Sequence, residues 1–418
     1  MKILIPKFEK ATGKSGDSFI GIRVQNGELI FKYPETYRLD LNDDLRKQAM
    51  KIIASFSLTR QSSADDPFNS KTGDDYKIPL LSYLWLLNDY LTYHRYENRE
   101  KHSSKGTKGK IDWRKTLKQN PYIQNYEPYY LNTYVFNRAQ REDVIVDVYR
   151  HCVIDSIKTI GWIYGVDIDE YLTEFSIPFN KLLFINVLRN ELSKTFDDVK
   201  RTRLMHMLNV IKGLSEEEIL SNEYTRGVDQ YEHCYEAMLK NMLSNVDNIK
   251  DFYPSANWTL ETDKLTRKSS NLRPDIIMIN HSNKTAYVLD AKYYRFGTTF
   301  NRQDLPDSSS IQKQITYGEY IKKLKLKGYS VYNAFIMPYD MSDQLANKKG
   351  FTKTIEYVGM ATTPWSDTNS SAVNNRIVAI LMDTKFLIDN WNAYNGQMVS
   401  ELSQLIIDKT KSFQEYNS

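Results

Sequence analysis

Hydrophobic and polar positions along the first half of the chain change from an alternating to a helical pattern. Apolar and polar residues alternate on both sides of Asn26-Gly27, a dipeptide that favours a tight hairpin turn because both positions accept a positive φ. Apolar residues at helical spacing then predict helices at about 42–59, 76–96 and 141–165. We therefore expect a mixed β and helical region at the start of the chain.

The second half has the pattern of a mixed α/β domain. Short apolar runs predict a hairpin over 275–292 and strands in "SVYNAFIMPY", "TKTIEYVGM" and "RIVAILM". Between them, "SSSIQKQITYGEYIKKLK" predicts a helix that begins on serines, and terminal helices follow from about 384. We expect an α/β fold with two regions, 1–220 and 221–418.

Charge adds one local feature to this picture. The 418 residues include 56 Lys and Arg against 52 Asp and Glu, a net charge of +4 that favours an anionic partner only if the basic residues cluster. Nine of them lie in 95–118, which we interpret as a mobile basic loop. Such a loop could contact DNA phosphates, dock on an acidic protein surface, or simply be solvated.

Several classes of protein are disfavoured by what the sequence lacks. Cys152 and Cys234 lie far apart without C-x-x-C spacing, which fits neither a disulfide framework nor a zinc site. Because no apolar run approaches the roughly 18 residues of a membrane span, we expect a cytoplasmic protein without a membrane partner. The chain also lacks the G-x-x-x-x-G-K-[ST] phosphate loop, so we do not expect it to hydrolyse a nucleotide.

The segment "RPDIIMINHSNKTAYVLDAKYY" (273–294) holds the candidate chemistry. Pairing Asp275 with Asp290 centres the hairpin in the polar "NHSNK", where a turn is expected. The two carboxylates then lie opposite each other, with Cβ atoms roughly 5 Å apart. Lys292 projects from the same face as Asp290, because strand side chains alternate. One face of the hairpin should therefore carry all three charges.

Two carboxylates this close repel each other unless a cation lies between them. We expect Mg²⁺, for which Mn²⁺ may substitute, because it takes one or two carboxylates and leaves other positions to water and phosphate. Such an ion activates water and polarises a phosphodiester, and Lys292 could position or deprotonate the water or balance charge. The competing interpretation is a surface hairpin with an ordinary salt bridge. The apolar runs beside both aspartates favour a buried strand instead.

"RPD" followed by "LDAK" resembles the PD-(D/E)XK nuclease motif. The resemblance implies a mixed sheet flanked by helices and a metal site formed by Asp275, Asp290 and the backbone carbonyl of Ala291, with Lys292 as a catalytic residue. In that fold a preceding helix often supplies another acidic metal ligand, and the matching residue is Glu236 in "CYEAML". An ordinary helix-surface glutamate is the alternative.

The helix "SSSIQKQITYGEY" resembles the companion helix of that motif, which carries a Gln and a nearby Tyr. The resemblance implies that the Gln314 amide contacts the phosphate backbone or the attacking water. Tyr317 stands at Q-x-x-Y spacing, whereas Q-x-x-x-Y is the commoner pattern.

Four segments, "GKIDWRKTLK", "YRHCVIDSIKTIGWIYG", "YEHCYEAML" and "IQKQITY", together resemble LlaJI-type restriction endonuclease subunits, which are related in role to McrC. This resemblance spans about 105–320. It implies a DNA endonuclease subunit of a two-component restriction (phage-defence) system, with double-stranded DNA and an McrB-like AAA+ GTPase as partners. Residues 1–220 would dock on the GTPase, with 101–111 as a probe into its ring. A non-catalytic activator of the GTPase and a repair or recombination nuclease of the same fold are the alternatives.

Three further side chains are open to a functional or a structural interpretation. His151 and His233 could be bases or ligands, but lone histidines on apolar helices are more often packed and hydrogen-bonded. Trp113 could stack on a base or a partner, although we expect a core tryptophan beside a loop.

Overall fold

The structure is a computed structural model of the chain. It describes residues 6–13, 18–58, 80–94, 96, 98–106, 110–130, 132–141, 144–221, 223–261, 266–268, 271–363 and 373–416.

The strands are β1 (Lys7–Lys10), β2 (Ile20–Gln25), β3 (Glu28–Tyr33), β4 (Asn98–Lys105), β5 (Tyr122–Gln124), β6 (Glu127–Tyr129), β7 (Tyr134–Arg141), β8 (Tyr224–Val228), β9 (Asn257–Thr259), β10 (Thr266–Lys268), β11 (Ile276–Asn280), β12 (Thr285–Ala291), β13 (Ser330–Tyr339), β14 (Ile355–Ala361) and β15 (Ile377–Asp383).

The α-helices are α1 (Leu45–Ser55), α2 (Leu80–Tyr93), α3 (Trp113–Thr116), α4 (Val144–Ser156), α5 (Trp162–Tyr164), α6 (Glu170–Thr173), α7 (Lys181–Lys194), α8 (Asp198–Gly213), α9 (Glu216–Ser221), α10 (Tyr231–Leu243), α11 (Phe296–Thr299), α12 (Ser308–Tyr320), α13 (Gln344–Lys348), α14 (Thr384–Asn390) and α15 (Gly396–Tyr416). Two π-helical turns, Ile157–Gly161 and Ile321–Lys325, extend α4 and α12.

Contacts group the chain into two compact units. Of the described residues, the first contains 24–27 and those between 80 and 224, and the second contains 6–13, 18–23, 28–58 and those between 225 and 416. Most of the described residues before 59 therefore group with the C-terminal half. The predicted docking region 1–220 does not coincide with one unit, and its role remains a prediction.

Helices dominate the first unit. The predicted helix at 141–165 is confirmed as α4, its π-helical turn and α5, and it ends at Gly165, whose φ of 69° is a left-handed conformation that glycine adopts without strain. Helices α2, α4, α7 and α8 pack on one another through apolar side chains. This packing forms the core of the unit.

The interpretation of 95–118 as a mobile basic loop is wrong for most of the segment. β4 pairs antiparallel with β7, and α3 and the short hairpin of β5 and β6 lie in the chain between these strands. Distant strand pairing satisfies the backbone of 98–105, which local composition could not reveal. Residues 95, 97 and 107–109, the last within the 101–111 probe, lie outside the described residues.

The described part of the chain has two larger sheets. One lies entirely in the second unit, and the N-terminal sheet lies mostly in it. The N-terminal sheet has the order β1-β3-β2-β8, and its predicted hairpin turn has positive φ at Asn26 (52°) and Gly27 (77°). The other has the order β11-β12-β13-β15-β14, with parallel pairing in the centre and antiparallel pairing at both edges. β12 and β15 are buried throughout, as expected for strands covered on both faces. The α/β expectation is confirmed.

The hairpin of β11 and β12 has the predicted register. Ile276 pairs with Leu289, so the next opposed pair is Asp275 and Asp290, and the turn occupies 281–284. Among the helices that the structure describes, none is long and apolar enough to cross a membrane.

Candidate active site

Both aspartates lie where β11 begins and β12 ends. Asp290 is buried at the second-to-last position of β12, between the apolar residues Leu289 and Ala291, and Asp275 is partly buried. Oδ2 of Asp275 accepts a hydrogen bond from the Ala291 backbone N–H at 2.8 Å. The side chain of the first aspartate is thus fixed to the backbone beside the second.

Lys292 forms an ion pair with Asp290. Its Nζ lies 2.5 Å from Oδ2 of Asp290 and 5.8 Å from the centre of the Phe335 ring. Burial by itself would lower the pKa of Lys292, but the charges of Asp290 and Asp275 more than offset it and raise the pKa. The lysine is therefore a cation when the site is free of other cations.

For Asp275, burial and the neighbouring charges both disfavour the ionised form. Burial, followed by the charges of Asp290 and Glu236, holds the pKa of Asp275 well above its usual range, and the bond from Ala291 only partly opposes this. The site thus contains more negative charge than its surroundings compensate, which is the condition under which a carboxylate takes up a proton or a metal ion.

β11 cannot donate a hydrogen bond to the backbone carbonyl of Ala291. The hairpin register, continued by one pair beyond Asp275 and Asp290, places Pro274 opposite Ala291. Proline has no N–H, so β11 offers no backbone donor to the Ala291 carbonyl. The proline of the sequence motif therefore leaves an oxygen unused by the strand pairing next to the two aspartates.

Glu236 is near this site but is not tightly joined to it. Its side chain is 40% exposed, and its Oε2 lies 3.6 Å from Nδ1 of His233. Its charge reaches Asp275, because it contributes to the raised pKa of that carboxyl. In the described part of the chain, no group of three or more His, Cys, Asp or Glu side chains is close enough to hold a metal ion. A role for Glu236 as a third ligand remains a prediction.

Gln314 lies in the core rather than at an accessible surface. Its Nε2 donates to the Val288 carbonyl at 2.6 Å and lies 3.4 Å from Oδ1 of Asn333. The side chain is fully buried, so the amide does not reach the surface, and its contact with a phosphate backbone or an attacking water stays a prediction. Its Oε1 has no hydrogen-bond partner within the described structure. The hydrogen bond from Gln314 to Val288 links α12 to β12, the strand that carries Asp290.

Asn333 is a residue that sequence reasoning missed. It is fully buried in β13, and its Nδ2 donates to the Asn374 carbonyl at 2.6 Å. A Cβ at Gly318 would lie 2.5 Å from Nδ2 of Asn333, so glycine lets α12 approach this side chain closely. The only available signal was one amide within the apolar run "SVYNAFIMPY".

Tyr317 holds the backbone that leads into β11. Its hydroxyl donates to the Arg273 carbonyl at 2.9 Å, two residues before Asp275. Burial, and then the charges of Asp290 and Asp275, raise the pKa of Tyr317. Both α12 residues of the sequence motif thus contact the backbone next to one aspartate each.

The three open side chains agree with expectation to different degrees. His233 is half exposed and lies 3.1 Å from Oε1 of Gln230, and Trp113 is 57% exposed rather than in the core. His151 is packed among aromatic rings as expected, but its buried Nε2 has no hydrogen-bond partner within the described residues.

No curated protein matches this chain. A chain of the half-complex from the tetradecameric assembly of Thermococcus gammatolerans McrB AAA+ hexamers with bound McrC is similar, with 14% identity and a TM-score of 0.42 over 93% of this chain and 83% of that one. The model of the LlaJI restriction endonuclease family matches residues 19–363. The chain therefore belongs to the LlaJI restriction endonuclease family.

Proposed function

We propose that this chain is the Mg²⁺-dependent DNA endonuclease subunit of a two-component, GTPase-driven restriction system, with an active site of the PD-(D/E)XK type. The observation that carries the proposal is the cluster of Asp275, Asp290 and Lys292 at the adjoining ends of β11 and β12. Family membership supports nuclease activity, and the cluster supplies residues suited to that chemistry.

The donor set fits one Mg²⁺. Asp275 and Asp290 offer hard carboxylate oxygens. Burial, and then the charges of Asp290 and Glu236, raise the pKa of Asp275, and a cation would neutralise those charges. The Ala291 carbonyl is a third candidate oxygen, and Glu236 a fourth. Because Mg²⁺ usually takes only one or two carboxylates and completes its shell with water and phosphate oxygens, no cluster of three acids is required. Mn²⁺ accepts the same oxygen ligands.

When bound, the ion would activate water and polarise the phosphodiester. Lys292 would position or deprotonate the attacking water, or balance the charge that develops on the phosphate. Asp290 would hold the lysine and the ion together, since its Oδ2 already contacts the ammonium group. Gln314 and Tyr317 would act as positioning residues, because each bonds to backbone near an aspartate rather than to the site.

The GTPase partner would bind through the first unit. The chain segment between β4 and β7 carries a group of exposed apolar side chains. They are Trp113, Leu117, Tyr122, Ile123, Tyr126 and Tyr129. Several exposed apolar side chains in one segment are the composition expected of a protein interaction site. Because the sequence has no phosphate loop of its own, nucleotide hydrolysis would come from an McrB-like AAA+ subunit.

One observation favours the alternative of a non-catalytic activator: the ammonium group of Lys292 already occupies an oxygen that a metal would need. Cleavage of a DNA duplex, with Mg²⁺ and the GTPase partner, separates the two. We expect Asp290→Ala and Lys292→Ala each to reduce cleavage by about 10²–10⁴-fold and to leave GTPase stimulation unchanged.

Asp198→Ala is the matched control. Asp198 belongs to another D-x-K sequence but lies exposed at the start of α8, so its loss should not change cleavage. Normal cutting by either active-site variant would remove the site assignment. GTPase stimulation by a wild-type chain that cuts with neither Mg²⁺ nor Mn²⁺ would favour the activator.

A further inference from the structure

β9 and β10 form a small antiparallel pair in the second unit, shortly before the candidate active site in the chain. Their register places Trp258 opposite Arg267, and within the described residues the two strands pair with no other strand. The Leu272 N–H donates to the Pro254 carbonyl at 2.8 Å, which joins the chain before β9 to the chain after β10. We refer to β9 and β10 as the arm.

The arm exposes an apolar side chain. All three residues of β9 are exposed, and Trp258 is 65% exposed. A single exposed apolar residue is common on protein surfaces. A strand pair that packs on no further layer, however, is only marginally stable in water. The arm therefore gains from any partner that covers the tryptophan ring.

The arm lies close to the candidate active site. Arg267, the register partner of Trp258, is eight residues before Asp275, which a chain spans in at most about 30 Å. One turn of a DNA duplex measures roughly 34 Å. The Tyr317 hydroxyl also donates to the Arg273 carbonyl at 2.9 Å, so α12 holds the chain between the arm and β11. A duplex bound at the two aspartates would therefore have its neighbouring turn within reach of the arm.

The charge of this segment selects an anionic partner. The 17 residues from 257 to 273 contain four basic and two acidic residues, an excess of +2, which is half the net charge of the whole chain. They are Lys264, Arg267, Lys268 and Arg273 against Glu261 and Asp263. Basic residues beside an exposed aromatic ring are the composition of surfaces that follow a nucleic acid strand.

We propose that the arm contacts the DNA substrate within about one duplex turn of the cleavage site, with the Trp258 ring packed on a base or a deoxyribose. This inference rests on the proposed nuclease function, which places DNA at Asp275 and Asp290. The contact would hold the duplex without selecting a sequence, because every nucleotide offers an apolar face to an aromatic ring.

Fluorescence anisotropy of a labelled duplex of about 30 base pairs, roughly three turns, tests the proposal. The full-length chain is titrated with Ca²⁺ in place of Mg²⁺, since Ca²⁺ takes the same oxygen ligands in a looser geometry, and a gel verifies that the DNA stays uncut. We expect Trp258→Ala to weaken binding at least about fivefold and Trp258→Phe, which keeps a ring, to weaken it less. The dependence of the affinity on salt should be the same in both variants as in the wild type, because no charge is lost.

Tyr394→Ala is the matched control. Tyr394 is an aromatic residue of the second unit that is 50% exposed and lies between α14 and α15, so its loss should not change DNA binding. Tryptophan fluorescence gives a second measurement. The part of the emission that is present in the wild type and absent from Trp258→Phe should be quenched by the duplex.

Three results would overturn the proposal. They are the absence of duplex binding by the wild-type chain, wild-type affinity in Trp258→Ala, and normal DNA binding by Trp258→Ala together with lost GTPase stimulation, which would make the arm a protein contact. Failure of the nuclease proposal has a different signature. If Trp258→Ala binds DNA more weakly but the wild type cuts with neither Mg²⁺ nor Mn²⁺, the DNA contact stands and the nuclease assignment falls.

Discussion

The hairpin site in the second unit and the cavity that His151, Asp155 and Phe175 line in the first unit both place charged groups beside apolar side chains. The two sites differ in which of their groups lack a compensating partner. At the hairpin, Lys292 and the Ala291 N–H already contact the two carboxylates, and the uncompensated quantity is charge. In the cavity, the carboxylates have hydroxyl and amide partners, and the uncompensated group is the neutral nitrogen of His151.

This difference indicates what each region would bind. Excess negative charge between two oxygen-rich side chains is relieved by a hard cation, whereas an unpaired neutral nitrogen requires a hydrogen-bond partner. We expect the larger effects at the hairpin, where charge is uncompensated.

The largest effect should follow from Asp275→Asn. The amide oxygen can still accept the bond from Ala291, but the charge is lost, and we expect cleavage to fall by at least about 10²-fold. Burial and the charge of Asp290 raise the pKa of Asp275 in the folded protein. The ionised carboxylate therefore destabilises the fold at any pH above the ordinary pKa of aspartate. The metal-free variant should therefore melt at the same temperature as the wild type or higher at pH 8. Lower thermal stability together with lost activity would indicate a structural role instead.

Sequence alone could predict much of this site, because Asp275, Asp290 and Lys292 lie close together in the chain. Strand alternation and the hairpin centre are enough to bring Asp275, Asp290 and Lys292 to one face, and the register agrees. The positions of Gln314 and Glu236 depend on how helices dock on the sheet. Spacing along α12 could not show that the Gln314 amide points to Val288 in the core.

The next effect concerns metal binding. A ligand that binds only the folded state at about 100 times its dissociation constant stabilises by about 2.7 kcal/mol. We expect Mg²⁺ or Mn²⁺ to raise the melting temperature of the wild-type chain and to have little effect on Asp290→Ala. Asp198→Ala should respond like the wild type. Equal stabilisation of all three proteins would place the metal elsewhere.

A smaller effect should come from Gln314→Met. The substitution removes the bond from Nε2 to the Val288 carbonyl but keeps most of the side-chain volume, which should cost about 0.5–1.5 kcal/mol of stability. Cleavage should fall in parallel, because Val288 and Asp290 share one strand. Gln312→Met, on the exposed face of the same helix, is the matched control and should change neither quantity. Unaltered cleavage in a destabilised Gln314→Met would end its positioning role.

The first unit was harder to predict from sequence than the second. Helical periodicity predicts α4 and places His151 on it, but the cavity also requires α6 and Phe175, which lie about 20 residues further along the chain. The polar residues that line the cavity are not regularly spaced in the sequence. The strand pairing of β4 with β7 was missed for the same reason, because its partner lies more than 30 residues away.

The smallest effect concerns the acid stability of the first unit. The folded-state pKa of His151 is lowered to about 4 by burial, whereas an unfolded histidine titrates near 6.5. Its contribution to stability is therefore fully present above about pH 6.5 and is lost as the pH falls towards 4. At pH 5.5 the loss should be about 1 kcal/mol.

His151→Phe should lack this part of the acid dependence, while a comparison at pH 8 serves as its own control, because the wild-type imidazole is then neutral in both the folded and the unfolded state. Hydrogen exchange of the α4 amides at the two pH values measures the opening free energy of this unit without requiring the whole chain to unfold in one step. If the opening free energies of the wild type and the variant fall equally between pH 8 and pH 5.5, the ring nitrogen is not buried, and the contrast between the neutral nitrogen of His151 and the charged hairpin fails.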